Sequence, residues 1–150
     1  MAKKVGKDGS VKLGTNAVVG MGTWTMDGIT TDEFDASEFG DDWKTYLYGM
    51  KDGGTISFNG HYDPADSTGQ DILLQANALN SALSTLRFYV DNTSYWVPNQ
   101  TSGYFSPTLT TGAGTELSTL HITSINIGMD KSGLGTISFT AKVSGNMSFV

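Results

Sequence analysis

The chain has 150 residues, no cysteine and a formal net charge of −6. The absence of cysteine excludes disulfides, thiolate metal sites and a cysteine nucleophile, and the acidic balance disfavours nucleic-acid binding through a basic patch. Only 16% of the residues are charged and 19 are glycine, which is typical of a β protein with many turns. This length predicts one domain over residues 1–150, with no signal peptide and no bilayer-spanning segment.

Residues 1–16 are polar and predict an N-terminal arm, which carries four lysines: Lys3, Lys4, Lys7 and Lys12. Residues 17–26 predict a first strand, in which two glycines indicate close backbone packing or a bulge. Residues 27–37 predict an acidic loop. Residues 39–50 fit a short helix or an irregular turn, because their apolar residues have helical spacing between two glycines.

An Asp52-Gly53-Gly54 turn leads into a strand over 55–62, and a helix is predicted over 69–83. Two paired strands follow, and residues 98–116 predict a long loop rich in threonine and serine. A strand over 117–129 changes its apolar register, which indicates a β-bulge near Thr123-Ser124. The paired strands are predicted over 85–90 and 95–97, and a turn at 130–133 leads into the last ribbon.

That last ribbon, residues 137–149, alternates apolar and polar side chains almost without error. Successive side chains of a strand point to opposite faces, so the ribbon has one dry face and one wet face. The strand over 55–62 has the same pattern. Long strands with serine and threonine on the wet side favour a protein that works through a surface rather than through a buried pocket.

Few residues suggest catalytic or metal chemistry. His61 and Asp63 share a strand face, but zinc needs three or four well-placed ligands. A surface histidine followed by a helix-capping aspartate is the simpler interpretation and is preferred. The acids between Asp27 and Asp42 lack both the rigid frame of a glycosidase pair and the calcium-loop pattern. We therefore predict no enzymatic activity, no metal and no cofactor. A sugar-binding platform could be formed by the three tryptophans: Trp24, Trp43 and Trp96.

Several segments resemble, in number and order, the major tail tube proteins of long, non-contractile-tailed phages. The resemblance begins near Trp24 and excludes the first sixteen residues and the 98–116 loop. The matching segments are Phe39-Gly40-Asp41-Asp42-Trp43-Lys44, Gly49-Met50-Lys51-Asp52-Gly53-Gly54-Thr55-Ile56-Ser57-Phe58, Gly60-His61-Tyr62-Asp63-Pro64-Ala65-Asp66, Gly69-Gln70, Leu86-Arg87-Phe88-Tyr89-Val90-Asp91, Ser94-Tyr95-Trp96, Asp130-Lys131-Ser132-Gly133-Leu134-Gly135, Ile137-Ser138-Phe139-Thr140 and Lys142-Val143-Ser144-Gly145.

The resemblance implies a mainly β fold: a β-sandwich or partly closed barrel with one flanking α-helix, as in phage tail tubes and type VI secretion tubes. It also implies a structural virion protein that forms homo-hexameric rings, stacked into a hollow tube through which genome DNA leaves. The implied partners are further copies, a tape measure protein and a tail terminator. The implied location is the virion tail, and the host cytoplasm during assembly, with no membrane partner.

Two sets of residues are the candidate assembly sites. Opposite charges on the N-terminal arm and the acidic segment could attract each other between rings, and an acidic, hydroxyl-rich bore would repel DNA rather than bind it. Phe39 and Trp43 are the expected packing anchors of the acidic loop. The inter-ring or inter-subunit candidates are Lys3, Lys4, Lys7, Lys12, Asp32, Glu33, Asp35, Glu38, Phe39 and Trp43. The lumen or ring-contact candidates are Ser57, Asn59, Ser138, Thr140 and Lys142.

Three other functions fit the same sequence. A secretion-tube subunit would have the same ring architecture in a different genetic setting. A carbohydrate-binding β-sandwich would use one of the tryptophans and would bind polysaccharide without forming rings. An enzyme would lose turnover when His61 or Asp63 is replaced.

Overall fold

The computed structural model describes residues 6–98, 118–145 and 147–149. This part of the chain is mainly β, with one α-helix and a short 3-10 turn at Gly6–Asp8. Its elements in chain order are β1 (Ser10–Leu13), β2 (Asn16–Ala17), β3 (Met21–Asp27), β4 (Thr30–Asp35), β5 (Tyr46–Asp52), β6 (Thr55–His61), α1 (Gln70–Ala78), β7 (Leu86–Tyr89), β8 (Tyr95–Pro98), β9 (Thr119–Gly128), β10 (Thr136–Ser144) and β11 (Met147–Phe149).

The strands form two packed sheets and one separate ribbon. A five-stranded sheet has the order β11-β8-β7-β1-β2, and a four-stranded sheet has the order β3-β6-β10-β9. All pairings are antiparallel, and β4 pairs with β5 alone. The sheets are not closed into a barrel, so this is an open β-sandwich with one helix against β9, as predicted.

Aromatic side chains join the two sheets at the centre of the core. Phe58 on β6 stacks on Phe139 of β10 at 5.0 Å between ring centroids, and its edge meets Phe88 of the other sheet at 5.3 Å. All three rings are buried. Removing three such side chains from water is a main source of the stability of the sandwich.

The alternating pattern correctly predicts which side of the four-stranded sheet is dry. Ile56 and Phe58 on β6, and Ile137, Phe139 and Ala141 on β10, are buried. The register shift of β9 lies between the partners of Thr140 and Ala141, so the predicted bulge at Thr123-Ser124 is confirmed. This extra residue returns the apolar side chains of β9 to the core side.

The last ribbon is not one strand. β10 ends at Ser144, and β11 crosses to the five-stranded sheet, where Met147 pairs with Pro98. Gly145 between them has a φ of 99°, a conformation that other residues rarely adopt. The alternation continues across this break because both halves contribute to the same core, so the sequence pattern alone did not reveal it.

Four other predictions need correction. Part of the N-terminal arm is strand β1, whose Val11 and Leu13 are buried in the core. The acidic loop contains strand β4, and Tyr46–Met50 lies in strand β5 rather than in a helix or irregular turn. The helix ends at Ala78, because Leu83 instead forms an antiparallel bridge with Leu120. The predicted 98–116 loop lies outside the described residues, apart from Pro98.

The two-stranded ribbon of β4 and β5 continues the β3–β6 ladder beyond the sandwich. Asp27 pairs with Thr55 at the end of the β3–β6 ladder, and Thr30 pairs with Asp52 at the start of the β4–β5 ladder. Gly28 and Gly54, with φ values of 74° and 89°, lie at the junction. β4 and β5 therefore extend beyond the four-stranded sheet as a β-hairpin arm, residues 30–52. Two glycines lie where the arm leaves the sheet.

Candidate assembly surfaces

The face of the four-stranded sheet that points away from the core is polar. Its two central strands, β6 and β10, place only polar side chains on this face. Ser57 lies beside Thr140, and Asn59 lies beside Ser138, so all five lumen or ring-contact candidates share this face. Their neighbours on the outer strands were missed by the sequence analysis because β3 is rich in glycine and β9 changes register. These additional residues are Thr23, Thr25, Ser124 and Asn126.

This polar face is not acidic. Its charged residues cluster at one end, where Asp27, Thr55, Lys142 and His121 form one row across the sheet. The two middle rows carry hydroxyl and amide groups, and His61 lies beside Thr136 at the opposite end of the face. The negative charge is concentrated instead in the hairpin arm, where residues 30–52 hold seven acidic and two basic side chains.

A salt bridge ties the base of the hairpin arm to the polar face. The Lys142 ammonium lies 2.6 Å from Oδ1 of Asp52, and the Asp52 carboxylate also accepts the backbone N–H of Gly54. The hydrogen bond from Lys142, with that from Gly54, lowers the pKa of Asp52 below its ordinary value. Both groups are about half exposed, so this contact orients the arm more than it stabilises the fold.

Replacing Lys142 with alanine is expected to raise the pKa of Asp52 toward its ordinary value, because the main group that favours the carboxylate is removed. In the unmodified chain the contribution of the depressed pKa is present at neutral pH and is lost as the pH falls through the folded value. NMR titration of the Asp52 carboxyl carbon measures the shift. Lys51→Ala is the matched control, and an equal effect of both substitutions would contradict the assigned contact.

The hairpin arm is exposed along its whole length, on both faces. One face of β5 carries Tyr46, Tyr48 and Met50, and Met50 is 81% exposed. Glu33 and Asp35 lie opposite the tyrosines on β4. A two-stranded ribbon without a packed face is only marginally stable in water, and exposed apolar patches of this kind mark interaction surfaces.

The inter-ring candidates fall into three groups. Asp32, Glu33 and Asp35 are exposed on β4, and Glu38 follows in the connection to β5. Phe39 and Trp43 in that connection contact no core residue, and Trp43 is 85% exposed, so they do not anchor the arm within one chain. Lys7 is exposed, and the Lys12 ammonium lies 4.8 Å from the centroid of the Tyr89 ring. Lys3 and Lys4 lie outside the described residues.

The turn after β4 holds Asp35 in its charged form. The Asp35 carboxylate accepts the backbone N–H of Ser37, and the Ser37 hydroxyl and N–H together lower the pKa of Asp35. The Thr45 N–H bonds the Ser37 hydroxyl in turn. The local geometry of this turn therefore favours the charged form of Asp35.

The first edge of the four-stranded sheet is β9, some of whose backbone hydrogen-bonding groups point away from the sheet. In β10, Val143 donates its N–H to Gly54 on the β6 side, so alternate residues of β10 direct their backbone groups toward β6. Their partners on β9, Ile125 and Ile127, therefore direct their N–H and C=O groups away from the sheet. Leu83 and the Asn77 side chain cover the start of β9, and no described strand pairs with the edge beyond Ser124.

The opposite edge is β3. The same alternation directs the backbone groups of Trp24 and Met26 outward, because the backbone groups of Phe58 and Ile56 bond to β10. Among the described strands, none pairs with this side of β3. Within the described residues the four-stranded sheet therefore has two open edges, and native proteins cover, pair or otherwise protect such edges.

His61 and Asp63 have structural roles. The His61 carbonyl accepts a hydrogen bond from Nε2 of Gln70, and the Asp63 carboxylate accepts the Ala65 N–H. In the described ranges no three His, Asp or Glu side chains are grouped as a metal site would require. Trp24 and Trp96 pack against the core, whereas Trp43 is on the hairpin arm, so the tryptophans do not form one platform.

No protein-family model and no curated protein matches the chain. Solved structures do match. A chain from the virion of a native gene transfer agent particle has a TM-score of 0.70 at 16% identity, and one from the tail of an empty particle with C6 symmetry has 0.69 at 17%; each comparison covers 99% of both chains. A chain from the sheath-tube complex of an extracellular contractile injection system has 0.61 at 14%, covering 99% of this chain and 91% of the other.

These similarities show that the chain has the fold of proteins found in such tails and tubes. In the described residues, no helix has the length and apolar character needed to span a bilayer. The strand-rich fold and the flanking helix agree with the architecture expected from the sequence.

Proposed function

We propose that the chain is the structural subunit of a hollow tail tube: six copies form a ring, and rings stack into a conduit for DNA. The observation that carries this proposal is the four-stranded sheet with two open edges, one dry face and one polar face. The proposal is also supported by comparison, because the chain shares its fold with a chain from a tail that has C6 symmetry.

The strand order makes ring closure geometrically simple. The sheet has four antiparallel strands, so β3 and β9 run in opposite directions and β9 of one copy can pair with β3 of the next as a regular antiparallel ladder. A head-to-tail contact whose rotation closes produces a ring. Ring closure removes every open edge at once.

In such a ring the polar face lines the channel, because the other face is buried in the sandwich. The lining is then mostly hydroxyl and amide, with Lys142 already paired to Asp52. DNA binding depends on releasing counterions to clustered cations, and this face has no such cluster. We propose that DNA passes through without specific binding, held away by hydration rather than by an acidic wall.

Stacking is assigned to the hairpin arm and the basic N-terminal arm. The hairpin leaves the end of the sheet with five net negative charges, seven acidic against two basic side chains, while Lys7 and Lys12 belong to the oppositely charged segment. Charge pairing between exposed groups weakens as salt screens it. We expect the mean tube length to fall across a salt series, measured by electron microscopy, and a constant length would exclude charge pairing as a stacking force.

The remaining partners follow from the same proposal. A tube of defined length requires a protein that sets the length and one that ends the stack, so a tape measure protein and a tail terminator are the expected partners. Similarity to a chain from the tube terminating cap of the anti-feeding prophage, with a TM-score of 0.56, supports a terminator built on a related fold. The expected location is the virion tail, after assembly in the host cytoplasm.

Negative-stain microscopy of the concentrated, purified chain tests the proposal, with sedimentation velocity on the same sample. Sixfold rings or tubes are expected, and the hexamer fraction should rise with protein concentration. A chain that remains monomeric at every concentration and in every solvent condition tested would contradict the proposal.

A secretion-type tube subunit is the second candidate, and the similarity to a sheath-tube complex favours it. Both functions require the same ring. They differ in what surrounds the tube, because a contractile system adds a sheath. Tubes isolated from the native source inside a contractile sheath would favour the second candidate, and bare tubes attached to a DNA-filled particle would favour the first.

A further inference from the structure

The outer face of the five-stranded sheet carries two cations and two tyrosines, which together are called the cation–tyrosine cluster. Lys12 on β1 lies directly opposite Arg87 on β7. Tyr89, further along β7, lies opposite Tyr95 on β8. Phe88, between Arg87 and Tyr89, is buried in the core, so the four side chains of the cluster point away from the core.

Aromatic rings hold both cations in position. The Lys12 ammonium lies 4.8 Å from the centroid of the Tyr89 ring. The guanidinium carbon of Arg87 lies 4.5 Å from the centroid of the Tyr95 ring, and the two ring centroids are 4.8 Å apart. The face of an aromatic ring attracts a cation electrostatically, so contacts within the chain keep both positive charges on this face.

The two positive charges oppose each other across the ladder. The Gly14 N–H donates to the Thr85 carbonyl. Two residues earlier on β1 and two later on β7, the same pattern makes Lys12 and Arg87 a hydrogen-bonded pair, with Cα atoms about 5.5 Å apart. Like charges directly opposite each other on neighbouring strands destabilise a sheet. An anion bound between the two side chains would remove this repulsion.

No carboxylate of the described residues neutralises the pair. Neither cation forms a salt bridge within these ranges, although the chain has a formal net charge of −6. Asp91 is the acid nearest to the cluster in sequence, and its carboxylate accepts the N–H groups of Thr93 and Ser94 in its own turn. The cluster therefore keeps a local excess of positive charge on an acidic protein.

The cluster also has hydrogen-bond donors to spare. In the described part of the chain, the buried Nε–H of Arg87 has no acceptor. Nη1 of Arg87 donates to the Tyr89 hydroxyl at 3.4 Å, which leaves the hydroxyl proton available for a second partner. A buried donor without a partner is uncommon in native proteins and can mark the position of a bound ion.

We propose that the cation–tyrosine cluster binds one phosphate group, either as the free ion or as the monoester of a larger molecule. A phosphate monoester carries nearly two negative charges at neutral pH, which matches the two opposed cations. Its oxygens can accept hydrogen bonds from the Lys12 ammonium, the Arg87 guanidinium and the Tyr89 hydroxyl. Both cations are partly exposed, so solvent gives access to them. The site lies on the opposite side of the sandwich from the polar face, and it does not depend on ring formation.

Thermal unfolding of the purified chain tests the site, with sodium phosphate compared with sodium chloride at equal ionic strength and neutral pH. Phosphate also stabilises folded proteins in general, because it is excluded from their surfaces, so the comparison of variants decides. Lys12→Gln and Arg87→Gln each remove one cation of the pair. Lys131→Gln is the matched control, because Lys131 is an exposed lysine in the turn between β9 and β10.

A saturating rise of the unfolding midpoint with phosphate is expected for the unmodified chain and for Lys131→Gln. Each cluster variant should need about tenfold more phosphate, or more, for the same rise, because it lacks one charge-assisted hydrogen bond. Phosphoserine distinguishes the two sources of the group. Binding of inorganic phosphate alone identifies the free ion, whereas equal or tighter binding of phosphoserine shows that the site accepts a monoester.

Two results would overturn the proposal. One is an equal phosphate dependence of the unmodified chain and both cluster variants. The other is acetate raising the midpoint at the same concentrations as phosphate, because the match of two charges to two cations would then play no part. If Arg87→Gln does not fold, Lys12→Gln alone decides between these results.

Discussion

Replacing Ile127 with proline is expected to abolish ring formation while leaving the fold of each chain intact. The N–H of Ile127 points away from the four-stranded sheet, so proline removes no hydrogen bond between strands of the described residues. In the proposed ring the same N–H belongs to the ladder with β3 of the next copy. Proline is tolerated on an edge strand but cannot donate to a new partner.

The matched control is Ile127→Ala. It removes the same side chain, which is 47% exposed, but keeps the N–H. Sedimentation velocity and negative-stain microscopy should show monomers for Ile127→Pro and rings for Ile127→Ala at equal concentration. Thermal melts followed by circular dichroism verify that both variants are folded.

Two outcomes would contradict this assignment of the edge. Rings formed normally by Ile127→Pro would show that β9 does not carry the ring contact. Loss of rings in both variants would assign the contact to the Ile127 side chain rather than to the backbone. The two variants differ only in one backbone N–H and in the backbone rigidity that the proline side chain imposes at that position. The comparison therefore tests the inter-subunit hydrogen bonds more specifically than a deletion of the strand would.

The dry faces of the sandwich could be predicted from the sequence because their apolar partners lie in the same chain. Ile56, Phe58 and Phe139 alternate with polar residues, and period-two alternation has one structural solution when one face is buried. The bulge in β9 could also be predicted, since a change of apolar parity within one strand requires an extra residue.

The hairpin arm could not be predicted for the opposite reason. Four apolar residues have the spacing of one face of a helix: Trp43, Tyr46, Leu47 and Met50. Interpreting that spacing as a helix assumes that the face they form is buried within the same chain. Here that face is exposed, so the spacing carries no information about the fold of a single copy. Residues whose role depends on another molecule are those for which local and global signals are expected to disagree.

The polar face was only half predicted. Ser57, Asn59, Ser138 and Thr140 stand out because they alternate with strong apolar residues in the two central strands. The threonines of β3 do not stand out, since Gly20 and Gly22 interrupt the pattern around them. The acidic residues, by contrast, are grouped in the sequence between Asp27 and Asp42, and the structure places most of them on the hairpin arm rather than on the sheet.

Replacing Gln70 with alanine is expected to lower the free energy of unfolding by about 3 kcal/mol or more. Gln70 is completely buried. Its Nε2 donates to the carbonyls of Val19 and His61 at 2.6 and 2.9 Å, and its Oε1 accepts the Asp63 N–H at 3.0 Å. The substitution leaves three backbone groups without this partner, and each such loss costs about 1–3 kcal/mol in a buried setting.

Asp66 completes this arrangement, because its Oδ2 accepts the N–H groups of Val19 and Gln70. One helical side chain and one loop carboxylate thus hold the entry to β3, the end of β6 and the start of α1 together. The segment Gly60–Asp66 with Gly69-Gln70, which carries much of the tail-tube resemblance, is therefore a structural junction. In this junction His61 contributes its backbone carbonyl, and Asp63 contributes its backbone N–H and its carboxylate.

Urea denaturation of Gln70→Ala measures the effect, with Gln75→Ala as the control on the same helix. Gln75 is exposed, and alanine is a slightly better helix former than glutamine, so the control should unfold at nearly the unmodified midpoint. Equal stability of both variants would show that water replaces the Gln70 side chain without cost. A loss confined to Gln70→Ala ties the position of the β3 edge, and with it the ring contact, to one buried amide.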